Sequence, residues 1–276
     1  MKSVFILIII LICANNSRSQ IKTTFFPVEK IYSPLRASIF ESRMGAIKNL
    51  NEDNLRLDIG ASAEIIKFEK DKLEFSAGVD FFTFSNIRTE TNFKFPVDAI
   101  DYLFGVNFNF RKKIGDDKLT ARLRLSHISS HLQDGHIYEV TDTIFTPSVY
   151  SREFTDIELN YIRQLTTSLS LRTMGRLEFL FSTHPDNFGT FTPSFGVEMS
   201  FNTMQPILFY VSNEVSIRTV LDETNVNNNF ELGLKLGYPQ SRGLVIYFNY
   251  YDGQDYKGQY FMNMISYKAI GFKVDI

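Results

Sequence analysis

Apolar and polar residues alternate along nearly the whole chain after residue 54, in segments that end at polar breaks. Residues 119–125 (LTARLRL) and 195–201 (FGVEMSF) are two examples. Successive side chains of a strand point to opposite faces, so strict alternation predicts strands with one apolar and one polar face. The pattern therefore predicts an all-β chain built from many half-apolar strands.

Counting these segments predicts twelve strands. They cover residues 35–47, 55–68, 72–86, 100–112, 118–130, 152–163, 168–182, 190–203, 206–220, 230–238, 243–252 and 261–276. Long polar connections at 48–54, 87–99, 131–151, 183–189, 221–229 and 253–260 alternate with short turns. A soluble β-sandwich gives no reason for this long-short alternation, whereas a transmembrane antiparallel β-barrel of even strand number does. We therefore expect such a barrel.

Sorting each predicted strand by parity separates an apolar outward face from a charged inward face. Outward residues include Tyr102, Phe104, Val106, Phe108, Phe110, Leu169, Leu171, Leu177, Phe179, Phe181, Ile207, Phe209, Val211, Val215, Ile217, Ile270, Phe272 and Val274. Inward residues are Asp80, Asn107, Asn109, Arg122, Arg124, Glu158, Asn160, Arg172, Arg176, Glu178, Glu198, Glu214, Arg218, Glu231 and Lys235. Because the inward charges have both signs, they predict a salt-bridged, filled lumen. A narrow polar channel is the alternative, but an ion-selective pore would carry one sign.

The N-terminus has the features of a secretion signal. Lys2 precedes an apolar run over residues 4–12, which is too short to span a bilayer. Small residues follow, and cleavage after Ser19 divides the chain into a signal peptide, 1–19, and a barrel domain, 20–276. An uncleaved membrane anchor is the alternative interpretation.

The composition fits secretion into a lipid environment. The single cysteine, Cys13, is lost with the signal, so we expect no disulfide and no thiolate metal site. The 27 Phe and 13 Tyr residues would form aromatic girdles at the membrane interfaces. The net charge of -2 and the lack of a basic tract predict no nucleic-acid partner.

These features together predict the outer membrane of a Gram-negative bacterium as the location. The expected partners are outer-membrane lipids and the barrel-insertion machinery. The alternating last strand, which ends in the large apolar residue Ile276, resembles the signal that this machinery reads.

One short motif could carry chemistry. Residues 126–136 (SHISSHLQDGH) contain three of the four histidines of the chain and lie at the predicted upper end of the fifth strand. The outward parity of 119–125 continues to His127 and Ser129, so both side chains would lie on the outer face near lipid headgroups. A histidine beside a serine is the minimum for base-assisted acyl transfer.

This outward His-x-Ser pair resembles that of outer-membrane phospholipase A and the lipid A 3-O-deacylases. The resemblance implies that His127 is the base, Ser129 the nucleophile and Glu153 the residue that orients the histidine. The substrate would be an acyl ester of a phospholipid or of lipid A. The phospholipase resemblance also implies a calcium-dependent homodimer. Those families place Asn directly after the serine, where this chain has Ser130.

A longer stretch is similar to an uncharacterised family of predicted bacterial outer-membrane β-barrels. It consists of the Ser-His-x-Ser-Ser-His motif followed by Tyr-Ser-Arg-Glu at 150–153. The family has no established activity, so a structural or binding barrel, or a minor pore, is the first interpretation. A lipid acyl-ester hydrolase is the alternative. A third interpretation is a metal site formed by His131, Asp134 and His136. Carboxylate oxygens in this region could also bind calcium.

Overall fold

Strands dominate the fold, as the alternation predicts. The computed structural model describes residues 20–132, 149–186, 188–204, 206–238 and 242–275. The strands are β1 (Lys22–Phe25), β2 (Gly45–Asn49), β3 (Asn54–Lys70), β4 (Leu73–Arg88), β5 (Val97–Ile114), β6 (Asp117–Leu132), β7 (Tyr150–Gln164), β8 (Leu169–His184), β9 (Phe191–Met204), β10 (Ile207–Val220), β11 (Glu223–Leu236), β12 (Gly243–Gln254) and β13 (Met264–Asp275). The predicted signal peptide lies outside the described residues and stays a prediction.

Twelve of these strands, β2 to β13, close into an antiparallel barrel. Each pairs with its neighbours in the chain, and β13 pairs back onto β2, where Ala269 lies opposite Asn49. Closure gives the backbone groups at the seam hydrogen-bond partners that an open sheet would lack. The predicted twelve-stranded transmembrane-type barrel is confirmed. We call the end that carries the connections 89–96 and 133–149 the upper end.

The strand β1 is not one of the twelve strands of the closed barrel and pairs with β3 alone. On one edge of β3, β2 pairs only with residues 55–58. Lower on the same edge, β1 places Lys22 opposite Glu69 and Phe25 opposite Ile66. It therefore gives hydrogen-bond partners to a stretch of β3 that extends beyond the short closing strand.

The prediction of a wall strand over 35–47 is wrong for most of its length. Residues 31–44 form a segment inside the lumen, which we call the plug, and only Gly45–Asn49 is a strand. Leu35 packs with Met174 on β8, while the backbone N–H of Ala37 donates to Ser212 on β10 at 3.1 Å. The apolar and polar residues of the plug thus contact different parts of the wall. The sequence of the plug therefore alternates as that of a strand does.

The prediction of a loop over 221–229 is also wrong, because the strand predicted over 230–238 begins earlier. The chain turns at residues 221 and 222, and β11 begins at Glu223. Two asparagines of this stretch line the lumen: Asn227 donates to Ser216 at 3.4 Å, and Asn229 donates to the Ala37 carbonyl. A polar run that suggests an exposed loop is therefore part of a strand whose inward face is polar.

The last predicted strand, 261–276, begins later, at Met264. The residues before it include a 3₁₀ turn, Gly258–Tyr260. No helix within the described ranges is long and apolar enough to cross a membrane.

The two predicted faces are confirmed by side-chain exposure. Outward residues such as Phe104, Phe108 and Leu125 are 45%, 47% and 50% exposed. Most of the predicted inward charges are buried, including Arg122, Arg124, Asp80, Glu158, Glu178, Glu198, Glu214, Arg218, Glu231 and Lys235. The outer surface is therefore apolar and the lumen is lined with buried charge.

An apolar cluster closes the upper end of the lumen. Its members are Phe40, Phe82, Phe84, Leu103, Ile128, Tyr150, Phe154, Leu180, Val220, Tyr251, Tyr256 and Phe261. The loop before β13 folds over this cluster, because the Gly258 N–H donates to Asp101 at 2.9 Å and Gln259 donates to the Ser130 carbonyl at 3.3 Å. Burial raises the pKa of Asp255 in this loop above its ordinary value, although nearby Lys257 opposes the shift. The described residues thus leave the lumen filled rather than open.

Gly233 makes room for a bulky side chain on the neighbouring strand, as its inward position predicts. It lies opposite Tyr210, and a Cβ at this position would overlap the tyrosine ring and hydroxyl. Tyr210 cannot move freely because its hydroxyl donates to buried Glu231. We expect Gly233→Ala to lower the free energy of unfolding in detergent by about 1–3 kcal/mol.

Gly175→Ala is the matched control, because a Cβ on this strand glycine would have no atom within 4 Å. Denaturant midpoints for the two variants, followed by heat-modifiable gel mobility, measure the difference. Equal midpoints for Gly233→Ala and Gly175→Ala would contradict the packing argument.

Candidate active site on the outer face

His127 and Glu153 form a hydrogen-bonded pair on the outer face of the barrel. They lie directly opposite each other on β6 and β7, with Nδ1 of His127 2.8 Å from Oε1 of Glu153. Their side chains are 41% and 31% exposed, whereas the next residues, Ile128 and Phe154, are fully buried. A carboxylate can only accept here, so Nδ1 carries the proton and Nε2 of the neutral ring keeps its lone pair.

A β-bulge brings a further hydroxyl to Glu153. The register of β7 against β8 shifts here: Ser182 lies opposite Glu153, and Leu180 opposite Phe154. The intervening Phe181 is the extra residue, and both Phe181 and Ser182 are exposed. Ser182 is thereby placed on the outer face beside Glu153, on the side away from His127. Bulges commonly re-aim side chains next to sites.

Ser129 lies two residues beyond His127 on the same face of β6. It is partly exposed and lies opposite Ser151 on β7 and Tyr102 on β5. Among the residues that the structure describes, no hydrogen bond joins Ser129 to His127. Catalytic hydrogen bonds are often formed only when substrate is bound, and neighbours two apart on a strand are within reach of each other.

Aromatic rings from β5 border the pair. The ring of Phe104 stacks on His127 with centroids 6.4 Å apart, and Tyr102 meets His131 edge-on at 5.5 Å. These rings continue the apolar outer surface up to the polar residues. An apolar chain that lies along the barrel wall would therefore end beside Ser129.

The metal site predicted from His131, Asp134 and His136 stays a prediction, because two of its residues are not described. His131 is described and lies on the outer face, but Asp134 and His136 lie outside the described residues. Within the described part of the chain there is no group of three or more His, Cys, Asp or Glu side chains that could hold a metal ion.

Calcium needs a separate test, because it takes six to eight oxygen ligands. The described residues around Ser129 offer one carboxylate, Glu153, and His127 already engages it. These residues do not fit a calcium site, so no catalytic step is derived through calcium.

A second cluster of charged residues lies inside the barrel, and the sequence analysis missed its central member. Glu41 of the plug accepts from Arg122 at 2.8 Å and lies 3.5 Å from Arg124. Arg124 also donates to Asp156 at 2.7 Å. These side chains are buried, so the cluster joins plug to wall and has no access to solvent or lipid. The alternation assigned Glu41 to a wall strand, which concealed its role.

A closed antiparallel barrel with an apolar outer face and a filled lumen has the fold of an outer-membrane β-barrel. The chain belongs to the DUF1207 family, described as proteins of unknown function, whose model matches residues 10–275. The sequence analysis expected membership of an uncharacterised barrel family, and this match agrees with it.

Two solved structures share the fold. Outer membrane phospholipase A from Escherichia coli gives a TM-score of 0.51 at 10% identity, over 90% of this chain and 95% of that chain. The β-domain of the Bordetella autotransporter BrkA gives 0.50 at 10% identity, over 84% of this chain and 96% of that chain. At this identity the likeness concerns the fold alone. No curated protein matches the chain.

Proposed function

We propose that this barrel lies in the outer membrane and hydrolyses acyl esters of outer-leaflet lipids. Ser129 is the nucleophile, His127 the base, and Glu153 orients the histidine. The observation that carries the proposal is the 2.8 Å contact between Nδ1 of His127 and Glu153 on the outward face. A nucleophile beside a base that a third group orients is the general arrangement of triad hydrolases.

The position of the pair supports lipid as the substrate. His127 and Ser129 follow directly on the apolar outward residues Leu123 and Leu125, which are 45% and 50% exposed. A polar site at the upper limit of an apolar surface lies where ester groups of the outer leaflet meet the hydrocarbon. A water-soluble substrate would more naturally bind in a concave pocket.

In the first step, Nε2 of His127 takes the proton of Ser129 as its Oγ attacks the ester carbonyl carbon. The tetrahedral intermediate collapses, and His127 returns the proton to the departing alcohol oxygen of the lysolipid. Water, deprotonated by His127, then attacks the carbonyl of the acyl-serine. The bond to Oγ breaks, Ser129 takes the proton back from His127, and the fatty acid is released. Throughout, the Glu153 carboxylate holds the ring by Nδ1 and stabilises the imidazolium.

Fatty-acid release by refolded protein tests this proposal. Mixed micelles of phosphatidylethanolamine, or of lipid A, are supplied with calcium or with a chelator. We expect release by the wild type and its loss in Ser129→Ala and His127→Ala. Ser170→Ala, near the lower end of β8, is a serine control that should keep full activity.

No release from folded wild type on either lipid would overturn the proposal. So would release that survives in Ser129→Ala. A structural or binding barrel would then remain as the function. The minor pore has less support, because the plug and the apolar cluster occupy the lumen of the described residues.

A further inference from the structure

Two arginines of the barrel wall approach the same plug ring near the upper end of the lumen. The guanidinium carbon of Arg152 lies 5.3 Å from the centroid of Phe40, and that of Arg218 lies 5.1 Å away. The two residues are only 1% and 8% exposed. Two like charges held this close together in a poorly solvated interior repel each other.

The guanidinium nitrogens of the two arginines are not all satisfied by hydrogen bonds. Glu178 lies 3.4 Å from Arg152, yet Nε and Nη2 of Arg152 have no hydrogen-bond partner. Within the described ranges, Arg218 has no carboxylate within the 4.0 Å of an ion pair, and its Nε is also without a partner. A buried cation without a counterion is strongly unfavourable.

A small cavity of about 20 Å³ lies beside Arg218. That is room for one species of about the size of water. Hydroxyl and amide groups also line it, from Thr192, Ser194, Ser216, Asn227 and Asn229.

The carboxylates of this cavity are already engaged. Glu214 accepts from Arg176 and from Ser38 of the plug, and Glu178 lies near Arg152. The guanidinium of Arg218 is thus the charged group of the lining that still lacks a counterion.

We propose that this cavity binds one small monovalent anion of halide size, held by Arg218 and by the hydroxyl and amide donors around it. The anion accepts hydrogen bonds from the Arg218 guanidinium, whose Nε has no partner among the described residues. It thereby fixes the upper end of the plug to the wall. The site is independent of the proposed hydrolase, because it lies inside the barrel.

Bromide provides a direct probe. Crystals of the full barrel grown with bromide in place of chloride should show an anomalous peak within hydrogen-bonding distance of the Arg218 guanidinium. Arg218→Met should lose this peak. Water density without an anomalous signal at this position in the wild type would overturn the proposal.

A solution measurement separates a built site from an adventitious ion. Replacing gluconate by chloride at constant ionic strength should raise the thermal midpoint of the wild type by roughly 2–4 °C, because a ligand that binds only the folded state stabilises it. Arg218→Met should lose this shift. Arg163→Met, at an exposed arginine of β7, should keep it. A bromide peak without a chloride shift would mean an adventitious ion only, and the proposal would fail.

Discussion

Replacing Glu153 by alanine should lower the rate of fatty-acid release about 10²- to 10⁴-fold while the barrel stays folded. The carboxylate is 2.8 Å from Nδ1 of His127, so its loss frees the ring to adopt the wrong tautomer or rotate away from Ser129. It also removes the charge that stabilises the imidazolium. The cost should appear in kcat more than in KM, since the lipid does not contact Glu153 in the mechanism.

Two variants sharpen this prediction. Glu153→Gln keeps an oxygen that can accept from Nδ1 but lacks the charge, so its rate should fall between those of wild type and Glu153→Ala. Ile157→Val, at an exposed outward position further along β7, is the control and should leave the rate unchanged. Heat-modifiable gel mobility confirms folding of each protein. If Glu153→Ala retained the wild-type rate, the pair would be an interfacial contact and no part of a triad.

The outward placement of His127 and Glu153 was predictable from the sequence because parity along a strand is a simple rule. Once β6 and β7 are recognised, counting by two from Leu125 and Ile157 brings His127 and Glu153 to the outer face. That they lie directly opposite each other also depends on the register of β6 against β7. The long connection between the two strands affects this register, and periodicity does not describe that connection. The third polar residue, Ser182, could not be predicted, because the bulge at Phe181 interrupts the parity of β8.

The plug was not predictable for a different reason. Periodicity reports that successive residues meet different environments, but it does not say whether those environments are lipid and lumen or two walls of one lumen. In the plug, Leu35 contacts Met174 and Ser38 contacts Glu214, so apolar and polar residues meet different environments although both lie inside the barrel. A charged residue such as Glu41 within an apparent wall strand is consistent with either arrangement. Only the closed ring decides, because twelve strands are complete without residues 31–44.

Contacts inside the lumen hold the strands that carry His127 and Glu153 on the outer face. A barrel whose interior is packed with paired charges and aromatic rings holds its wall strands rigidly. The relative positions of β6, β7 and β8 on the outer face then depend on side chains that never meet lipid. Arg124 and Asp156, for example, lie inward on β6 and β7, three residues from His127 and Glu153, and join the two strands by a 2.7 Å bond. Loss of lumenal contacts is therefore expected to affect stability first.

Glu41→Ala should lower the free energy of unfolding by about 3–5 kcal/mol, the largest stability effect that we expect from a single substitution. The carboxylate of Glu41 accepts from Arg122 and lies near Arg124, and all three side chains are buried. Its removal leaves guanidinium groups in the lumen with fewer counterions, so the loss exceeds that of one hydrogen bond.

Glu90→Ala is the matched control for this prediction. Glu90 pairs with Arg88 at 3.5 Å, but both side chains are more than 40% exposed, so its loss should cost less than about 1 kcal/mol. Urea or guanidinium unfolding of both variants in lipid micelles measures the difference. Unfolding midpoints that coincide for Glu41→Ala and Glu90→Ala would show that the plug does not stabilise the barrel, and planar-bilayer conductance of the Glu41→Ala barrel would then show whether the lumen opens without it.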